Sequence, residues 1–128
     1  MKSTPPRKDL GFTILELLLT ITIISVLSVV LLPNLTNARK KSNESAVQAY
    51  VRDVAMQVEI LRPNDGSVNL DMGNSCHDYS DKGPTIIKTC TVSINDDNVN
   101  FSIQATASNT SFNAITFDSA TAGFSFKE

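Results

Sequence analysis

A long, nearly uncharged run close to the N-terminus limits what this chain can fold into. Between Phe12 and Leu32, 15 of 21 residues are apolar, and Glu16 is the only charged one. A helix of that length spans roughly 31 Å, enough to cross the hydrocarbon core of a bilayer. The chain has only 128 residues, so the rest of it could hardly bury such a helix on every side. We therefore predict a membrane-spanning segment rather than the core helix of a soluble domain.

Charge is distributed unevenly around this run. Residues 1–11 carry net +2, residues 33–62 net +2 and residues 63–128 net −5. Basic residues flank both ends of the run, so the positive-inside rule does not choose an orientation. Cys76 and Cys90 both lie on the C-terminal side, where a disulfide requires an oxidising compartment. We predict a cytoplasmic N-terminus, with the remainder of the chain outside.

Composition argues against several classes of protein. A net charge of −2 argues against nucleic-acid binding through bulk charge. His77 is the sole histidine, and no nucleophile–base pair is apparent around it. Asp96 and Asp97 lack the spacing of a calcium loop, so a polar turn is the better interpretation. We expect no enzymatic activity, no cofactor and no metal.

The start of the chain follows the general plan of a secretory signal, a basic segment and then an apolar run. Such a signal is cut after its apolar run, yet no small-x-small site occurs between Ser28 and Leu35. The small residue that stands out is Gly11, before the run. From these facts alone, an uncut anchor helix remains an alternative.

Residues 11–16, Gly-Phe-Thr-Ile-Leu-Glu, followed by the apolar run, resemble the class III signal of type IV pilins and pseudopilins. The family pattern is a short basic leader ending in Gly, then Phe, and a Glu four residues beyond that Phe. A proline near the far end of the run is matched by Pro33. The usual Leu-Ile order before the Glu is reversed here. The resemblance covers about residues 1–45, and the remainder matches only in general layout.

The resemblance implies a processing step and an assembly residue. A membrane-embedded prepilin peptidase would cut between Gly11 and Phe12 and methylate the new amine of Phe12. Loss of the leader would change the net side-chain charge from −2 to −4. In the family, the carboxylate at the position of Glu16 meets the N-terminal amine of a neighbouring subunit. Ionisable residues inside membranes are costly, about 2.5–3.5 kcal/mol near the centre, and are functional by default.

The helical pattern resumes after Pro33. One apolar stripe at spacings of three and four residues is formed by Val47, Val51, Val54, Val58 and Leu61. Proline and glycine within residues 62–66 end the pattern. We predict one long helix from Phe12 to about Leu61, with a kink or local unwinding at Pro33 and with the stripe packed on a sheet.

The tail contains four candidate strands. Apolar and polar residues alternate over residues 86–94 and 99–106, and the polar stretch between them is typical of a hairpin turn. Weaker strands are predicted over residues 114–117 and 123–126. The predicted fold class is α+β, a long N-terminal helix packed on a three- or four-stranded antiparallel sheet. The resemblance implies the same arrangement, the pilin fold.

The expected segments are a leader (1–11), a transmembrane and assembly helix (12–33), an amphipathic helix half (34–61) and a globular β domain (62–128). Cys76 and Cys90 are 14 positions apart, and a disulfide closing that loop would contribute about 3 kcal/mol. Two free thiols are the alternative. The bridge would leave residues 66–84 as a candidate surface for filament contacts.

The resemblance implies a structural subunit of an extracellular type IV pilus, serving motility, adhesion or DNA uptake. The precursor would lie in the cytoplasmic membrane and the mature chain in a filament at the cell surface. The expected partners are further copies of the chain, prepilin peptidase, the pilus assembly machinery and the membrane. DNA is not indicated as a partner, because Lys40 and Lys41 better fit a solvated or headgroup-facing helix surface.

Two alternatives of the same class are a pseudopilin of a type II secretion system and a minor or competence pilin. An alternative of another class is a membrane-anchored binding domain that never polymerises and keeps its helix uncut. The N-terminus of the protein in cells distinguishes these alternatives, because only a processed chain begins at Phe12.

Overall fold

The computed structural model describes residues 11–70, 73–80 and 83–128. It divides the chain into two compact units, Met1–Thr36 and Asn37–Glu128. Its elements are helix α1 (Ile14–Ile60), a short 3-10 turn (Cys76–Asp78) and strands β1 (Ile87–Ile94), β2 (Phe101–Ala107), β3 (Ala114–Asp118) and β4 (Gly123–Lys127). The predicted α+β class is confirmed. Leader residues 1–10 lie outside the described residues, so the structure shows only the last leader residue, Gly11.

Helix α1 is 47 residues long and ends at Ile60, shortly before a proline. The amide of Leu61 still donates to the carbonyl of Gln57 at 3.1 Å, whereas the amide of Arg62 donates to the backbone carbonyl of Glu59 at 3.2 Å. The switch to an i−3 partner is the tightening common in a last helical turn. Pro63 follows, and the chain then turns at Gly66, whose φ of 81° suits glycine.

The backbone stays helical through Pro33. Local unwinding, one of the two outcomes expected there, is therefore not found, and the kink stays a prediction. Proline has no N–H, so the carbonyl one turn earlier lacks its usual partner. The carbonyl of Pro33 itself accepts a bond of 2.8 Å from the hydroxyl of Thr36.

The four strands form one antiparallel sheet in the order β1-β2-β3-β4. The β1–β2 turn is closed by the amide of Asn95, which donates to the carbonyl of Asn100 at 2.8 Å. All four predicted strands are present with small shifts. Strand β2 begins at Phe101 rather than at Val99, because the amides of Val99 and Asn100 donate to the carboxylate of Asp97 instead of pairing with a strand.

The helix packs on the sheet within the unit Asn37–Glu128. The fully buried side chains include Val47, Val51 and Val54 of α1, and Val92, Phe101, Ile103 and Ile115 of the strands. Val58 joins the same core, as do Tyr50 and Ala55, which the predicted stripe omitted. The inclusion of Leu61 in that stripe is wrong. Leu61 follows the last helical residue, is 46% exposed and lies outside the buried core.

Candidate functional site

The bond between Gly11 and Phe12 precedes the helix and is exposed. Gly11, Phe12 and Thr13 are not helical. A Cβ added at Gly11 would meet no atom within 4 Å, and the side chain of Phe12 is 74% exposed. Exposed chain outside regular structure is the usual site of proteolysis. The described residues around the expected cut are therefore free of contacts that would block a peptidase.

Glu16 lies in the first turn of α1 and caps its own helix. Its carboxylate oxygen Oε2 accepts bonds of 2.9 Å from both the amide and the hydroxyl of Thr13. In return, the amide of Glu16 donates to the Thr13 hydroxyl at 3.2 Å. This reciprocal pairing is a capping box, in which the residue before the helix and the third helical residue satisfy each other's backbone amides.

The capping box leaves Glu16 able to bind a second donor. An ionised carboxylate has about four acceptor positions on its two oxygens, and both Thr13 bonds go to Oε2. Oε1 has no hydrogen-bond partner among the described residues. Sequence reasoning singled out Glu16 but missed Thr13, although the Thr-x-x-Glu spacing at residues 13–16 is itself a capping-box signal.

The first half of α1 exposes an apolar surface all round. Every large hydrophobic side chain from Ile14 to Leu35 is more than half exposed. The hydroxyls of Thr20, Thr22, Ser25 and Ser28 donate back to carbonyls of the same helix at 2.7–2.8 Å. By length and composition this helix could cross a membrane. A helix that is apolar on every side requires lipid or other helices around it.

The segment after α1 is fastened to the domain at several points. Cys76 is bonded to Cys90 of β1, with their Cα atoms 5.4 Å apart, which confirms the predicted pairing. The hydroxyl of Tyr50 on α1 donates to the carbonyl of Ser80 at 3.1 Å. The amide of Val92 donates to the carbonyl of Asn74 at 2.8 Å. Residues 73–80 are therefore anchored to both the helix and the sheet.

Arg62 joins three parts of the domain, a role that sequence reasoning missed. Its guanidinium forms a two-bond pair with the carboxylate of Glu59, at 2.7 and 2.8 Å. It also donates to the carbonyls of Gly66 and Val99, both at 2.7 Å. The pairing with Glu59 raises the pKa of Arg62. The i,i+3 spacing of Glu59 and Arg62 was the one signal in the sequence, but it does not indicate the contact with Val99.

A second pair of contacts holds the β2–β3 loop to α1. The side-chain amide of Asn43 donates to the carbonyl of Asn109 at 3.0 Å. The amide of Ser111 donates to Glu44 at 2.8 Å, and hydrogen bonding by Ser111 lowers the pKa of that carboxyl. The loop is therefore fastened near the start of the unit Asn37–Glu128.

The polar residues considered for metal binding either form hydrogen bonds within their own turn or have no further metal-binding side chains close by in the described part of the chain. The amide and side chain of Asn100 and the amide of Val99 donate to Asp97 and lower its pKa. This is the behaviour of a turn-forming aspartate. Among the described residues, no three His, Cys, Asp or Glu side chains come together as a metal-binding group.

Comparisons with known proteins match both halves of the chain. The sequence model of the family Pilin A4 matches residues 43–123, and that of the prokaryotic N-terminal methylation motif matches residues 6–32. The type IV wide pilus major component PilA4 of Thermus thermophilus is 43% identical over 61 residues, which are 48% of this chain and 47% of that protein. The chain thus matches about half the length of this curated relative.

Two solved structures from Thermus thermophilus share the fold. One is a type IV pilin protein, 36% identical, with a TM-score of 0.62, covering 67% of this chain and 99% of the other. The second is a type IV-like competence pilin, 22% identical, with a TM-score of 0.60 and the same coverage. At that identity, the second likeness supports the fold alone.

Proposed function

The chain belongs to the Pilin A4 family, and from that premise we propose that it is a structural subunit of a type IV pilus. The observation that carries this proposal is the exposed apolar surface of α1 from Ile14 to Leu35, directly after a methylation motif. Such a surface is unstable in water and needs lipid before assembly and neighbouring helices afterwards. The role is structural, and it requires no catalysis by the chain itself.

Maturation is proposed to occur between Gly11 and Phe12. A prepilin peptidase removes residues 1–11 and methylates the amine of Phe12. The exposed bond before the helix supports this site. Cleavage leaves a positive charge at Phe12, four residues from Glu16, or about 6 Å along a helix. The mature chain then carries opposite charges near one end of an apolar helix.

Glu16 is proposed to pair with the N-terminal amine of a neighbouring subunit. Oε2 keeps its bonds to Thr13, and Oε1 accepts from the amine. A carboxylate alone in hydrocarbon costs several kcal/mol, and pairing with an opposite charge offsets that cost. Assembly is favoured by the pair formed between Glu16 and the neighbouring amine, together with helix–helix packing. Transfer of apolar surface from water, about 25 cal/mol per Å², contributes less because the subunit starts in lipid.

The proposed location follows from the same features. The precursor lies in the cytoplasmic membrane with its N-terminus in the cytoplasm, and the mature chain lies in a filament at the cell surface. The Cys76–Cys90 bridge supports an extracytoplasmic position for the domain, since disulfides persist in oxidising compartments.

N-terminal sequencing of filaments sheared from cells tests the proposal. The expected result is abundant filament whose protein begins at a methylated Phe12. A variant with Gly11→Ala provides a matched control, because it should leave uncut precursor in the membrane without altering the domain. A wild-type chain that begins at Met1 and stays in the membrane would overturn the proposal and favour an anchored binding domain.

A further inference from the structure

The topology of the unit Asn37–Glu128 brings basic residues together at one end of the domain. Strand β1 begins beside the end of β2, and β4 ends beside the start of β3. The β2–β3 loop lies at the same end, where its bonds to Asn43 and Glu44 hold it to the helix. We call this end the basic end, and we define it by the basic residues that the helix and the strands place there, Arg39, Lys40, Lys41, Lys88 and Lys127.

The five side chains of the basic end are not neutralised within the domain. All five are exposed, and none of them forms a salt bridge in the described part of the chain. The acidic residues at this end are Glu44 and Glu128, and the carboxylate of Glu44 accepts a bond of 2.8 Å from the amide of Ser111. Five basic and two acidic side chains give this end a net charge of +3.

The opposite end of the domain is acidic. It holds the last turn of α1, the β1–β2 turn and the β3–β4 turn. Its basic residue, Arg62, is paired with Glu59 and bonded to the carbonyl of Val99. With Arg62 counted, the net side-chain charge of this end is −4, and its acidic residues are Glu59, Asp65, Asp96, Asp97 and Asp118. Charge in the domain is therefore separated from one end to the other.

An exposed aromatic ring lies beside the basic residues. Phe126 of β4 is 52% exposed, and among the described strands β4 pairs with β3 alone. Its ring centroid is 5.2 Å from that of Phe112 in the β2–β3 loop, so the ring belongs to the basic end. A bilayer interface attracts basic residues through its headgroup charge and aromatic rings through apolar contact.

The spread of the basic residues fits an extended anionic surface better than a small anion. Lys88 lies on β1 and Lys127 on β4, the two outer strands of the sheet. Three strand spacings separate these strands, about 14 Å, which is too far for one small anion to contact both lysines. In the sequence, Arg39 follows Leu35, the last residue of the exposed apolar segment, by four positions. A bilayer around that segment therefore offers its headgroups to the basic end.

We propose that the basic end docks on anionic phospholipid headgroups at the outer face of the cytoplasmic membrane while the chain is held in that membrane. This inference rests on the proposed function, because that function places the apolar segment in the bilayer. Anionic headgroups repel the acidic end, so the docked domain directs that end away from the membrane. The attraction extends over a Debye length, about 8 Å at physiological salt, so it is lost when the chain leaves the membrane for the filament.

Quenching of a dye by labelled lipids tests the docking. The two native cysteines are joined to each other, so a dye can be attached to one added cysteine. The full chain with Asn113→Cys, an exposed position of the β2–β3 loop, is inserted into vesicles of neutral phosphatidylcholine. A second set of vesicles also contains roughly 30% anionic phosphatidylglycerol. In both sets, a small share of the lipids carries a headgroup spin label that quenches the dye at short range.

The dye at Asn113→Cys should be quenched at least threefold more in the anionic vesicles than in the neutral ones. A dye at Val99→Cys, which is 49% exposed on the β1–β2 turn, should be quenched weakly and equally in both. Salt at about 0.5 M should remove the difference between the vesicles, because it shortens the distance over which charges interact.

Substitution of the two lysines on the sheet tests the domain itself, apart from the residues that follow the apolar segment. Lys88→Gln with Lys127→Gln should reduce quenching of the loop dye in anionic vesicles at least twofold. Val99→Glu with Ala120→Glu makes the same change in net charge at the acidic end, and it should not reduce the quenching. An absence of further reactive thiols before reduction checks that the native disulfide is intact and that each variant is folded.

The outcomes separate this inference from the proposed function. If the full chain does not insert into either kind of vesicle, the proposed function fails and the docking fails with it. If the chain inserts but the loop dye is quenched equally in both vesicles, or Lys88→Gln with Lys127→Gln has no effect, the docking is overturned and the pilus subunit stands. Loop-dye fluorescence that changes with the density of chains in neutral vesicles, and not with anionic lipid, would show that a second copy covers this end and would overturn lipid as its partner.

Discussion

Breaking the Cys76–Cys90 bridge should lower the free energy of unfolding of the domain. The size of this decrease can be estimated from the length of the loop that the bridge closes. The bridge joins two residues that are 14 positions apart, and for a loop of that length the chain-entropy account gives about 3 kcal/mol. A unit of this size shifts its melting temperature by about 4–8 °C per kcal/mol, so a drop of roughly 12–24 °C is expected. The reduced domain should still fold, because domains generally have about 5–15 kcal/mol of stability and the Asn74–Val92 and Tyr50–Ser80 bonds remain.

The assay is thermal unfolding of the full chain in detergent, followed by two signals. The chain has no tryptophan and two tyrosines, and both tyrosine hydroxyls donate to carbonyls within residues 73–80, Tyr50 to that of Ser80 and Tyr79 to that of Gly73. Near-ultraviolet circular dichroism therefore reports on that segment, while far-ultraviolet dichroism reports on helix and sheet. The variant should carry alanine at both cysteines, because Cys76 is fully buried and a serine hydroxyl there would add its own desolvation cost.

The tyrosine signal and the β-sheet part of the far-ultraviolet signal should fall together at the lower temperature, and thiol reduction of the wild type should reproduce the variant. A melting temperature within about 3 °C of the oxidised wild type would refute the reasoning, since it would mean that the noncovalent anchors alone constrain residues 73–80. Loss of the tyrosine signal at a temperature where the β-sheet part of the far-ultraviolet signal persists would refute the claim that this segment is part of one cooperative core.

Three further predictions concern single side chains. Glu16→Ala should insert in the membrane but yield at least tenfold less sheared filament, because the neighbour's amine loses its partner; normal filament yield would contradict the role of Glu16. Arg62→Met should lower the free energy of unfolding by about 0.5–1.5 kcal/mol, since it breaks the largely exposed pair with Glu59 and the bonds to the carbonyls of Gly66 and Val99; denaturant titration measures this, and an unchanged midpoint would contradict it. The pKa values of Glu44 and Asp97 lie below their usual 4.5 and 3.8. The ionised carboxylates therefore stabilise the fold fully above those values, and this stabilisation is lost as the pH falls through the lowered pKa values. The denaturant concentration at the unfolding midpoint should fall when the pH is brought below about 4, and Asp97→Asn should lessen that fall.

The architecture could be predicted because it depends on periodic patterns. Alternation located β1 and β2, weaker patterns indicated β3 and β4, and the three- and four-residue spacing of Val47, Val51, Val54 and Val58 located the face of α1 that packs on them. The errors lie at element ends. Leu61 continued the pattern by spacing, yet the helix ends one residue before it. Element ends depend on individual hydrogen bonds, which periodicity does not encode.

The candidate site was predictable where it depends on local sequence and not where it depends on contacts distant in the chain. Gly11, Phe12 and Glu16 form a compact motif, and even the missed partner Thr13 lies within it. The bond from Tyr50 to Ser80 joins residues 30 positions apart, and that from Arg62 to Val99 joins residues 37 apart. Residues so far apart in the sequence give no signal that they are in contact. These hydrogen bonds could therefore be found only in the folded structure.

The anchored helix also constrains the kind of assembly that this subunit can form. Copies inserted in one membrane from the same side have parallel helices, so two copies cannot be related by a two-fold axis perpendicular to those helices. A displaced parallel pair instead uses different residues on each partner, and such a heterologous contact leaves one unused surface at each end. Because the displacement repeats with every added copy, the array extends rather than closes. A filament is therefore the assembly expected of parallel copies that are displaced along their helices.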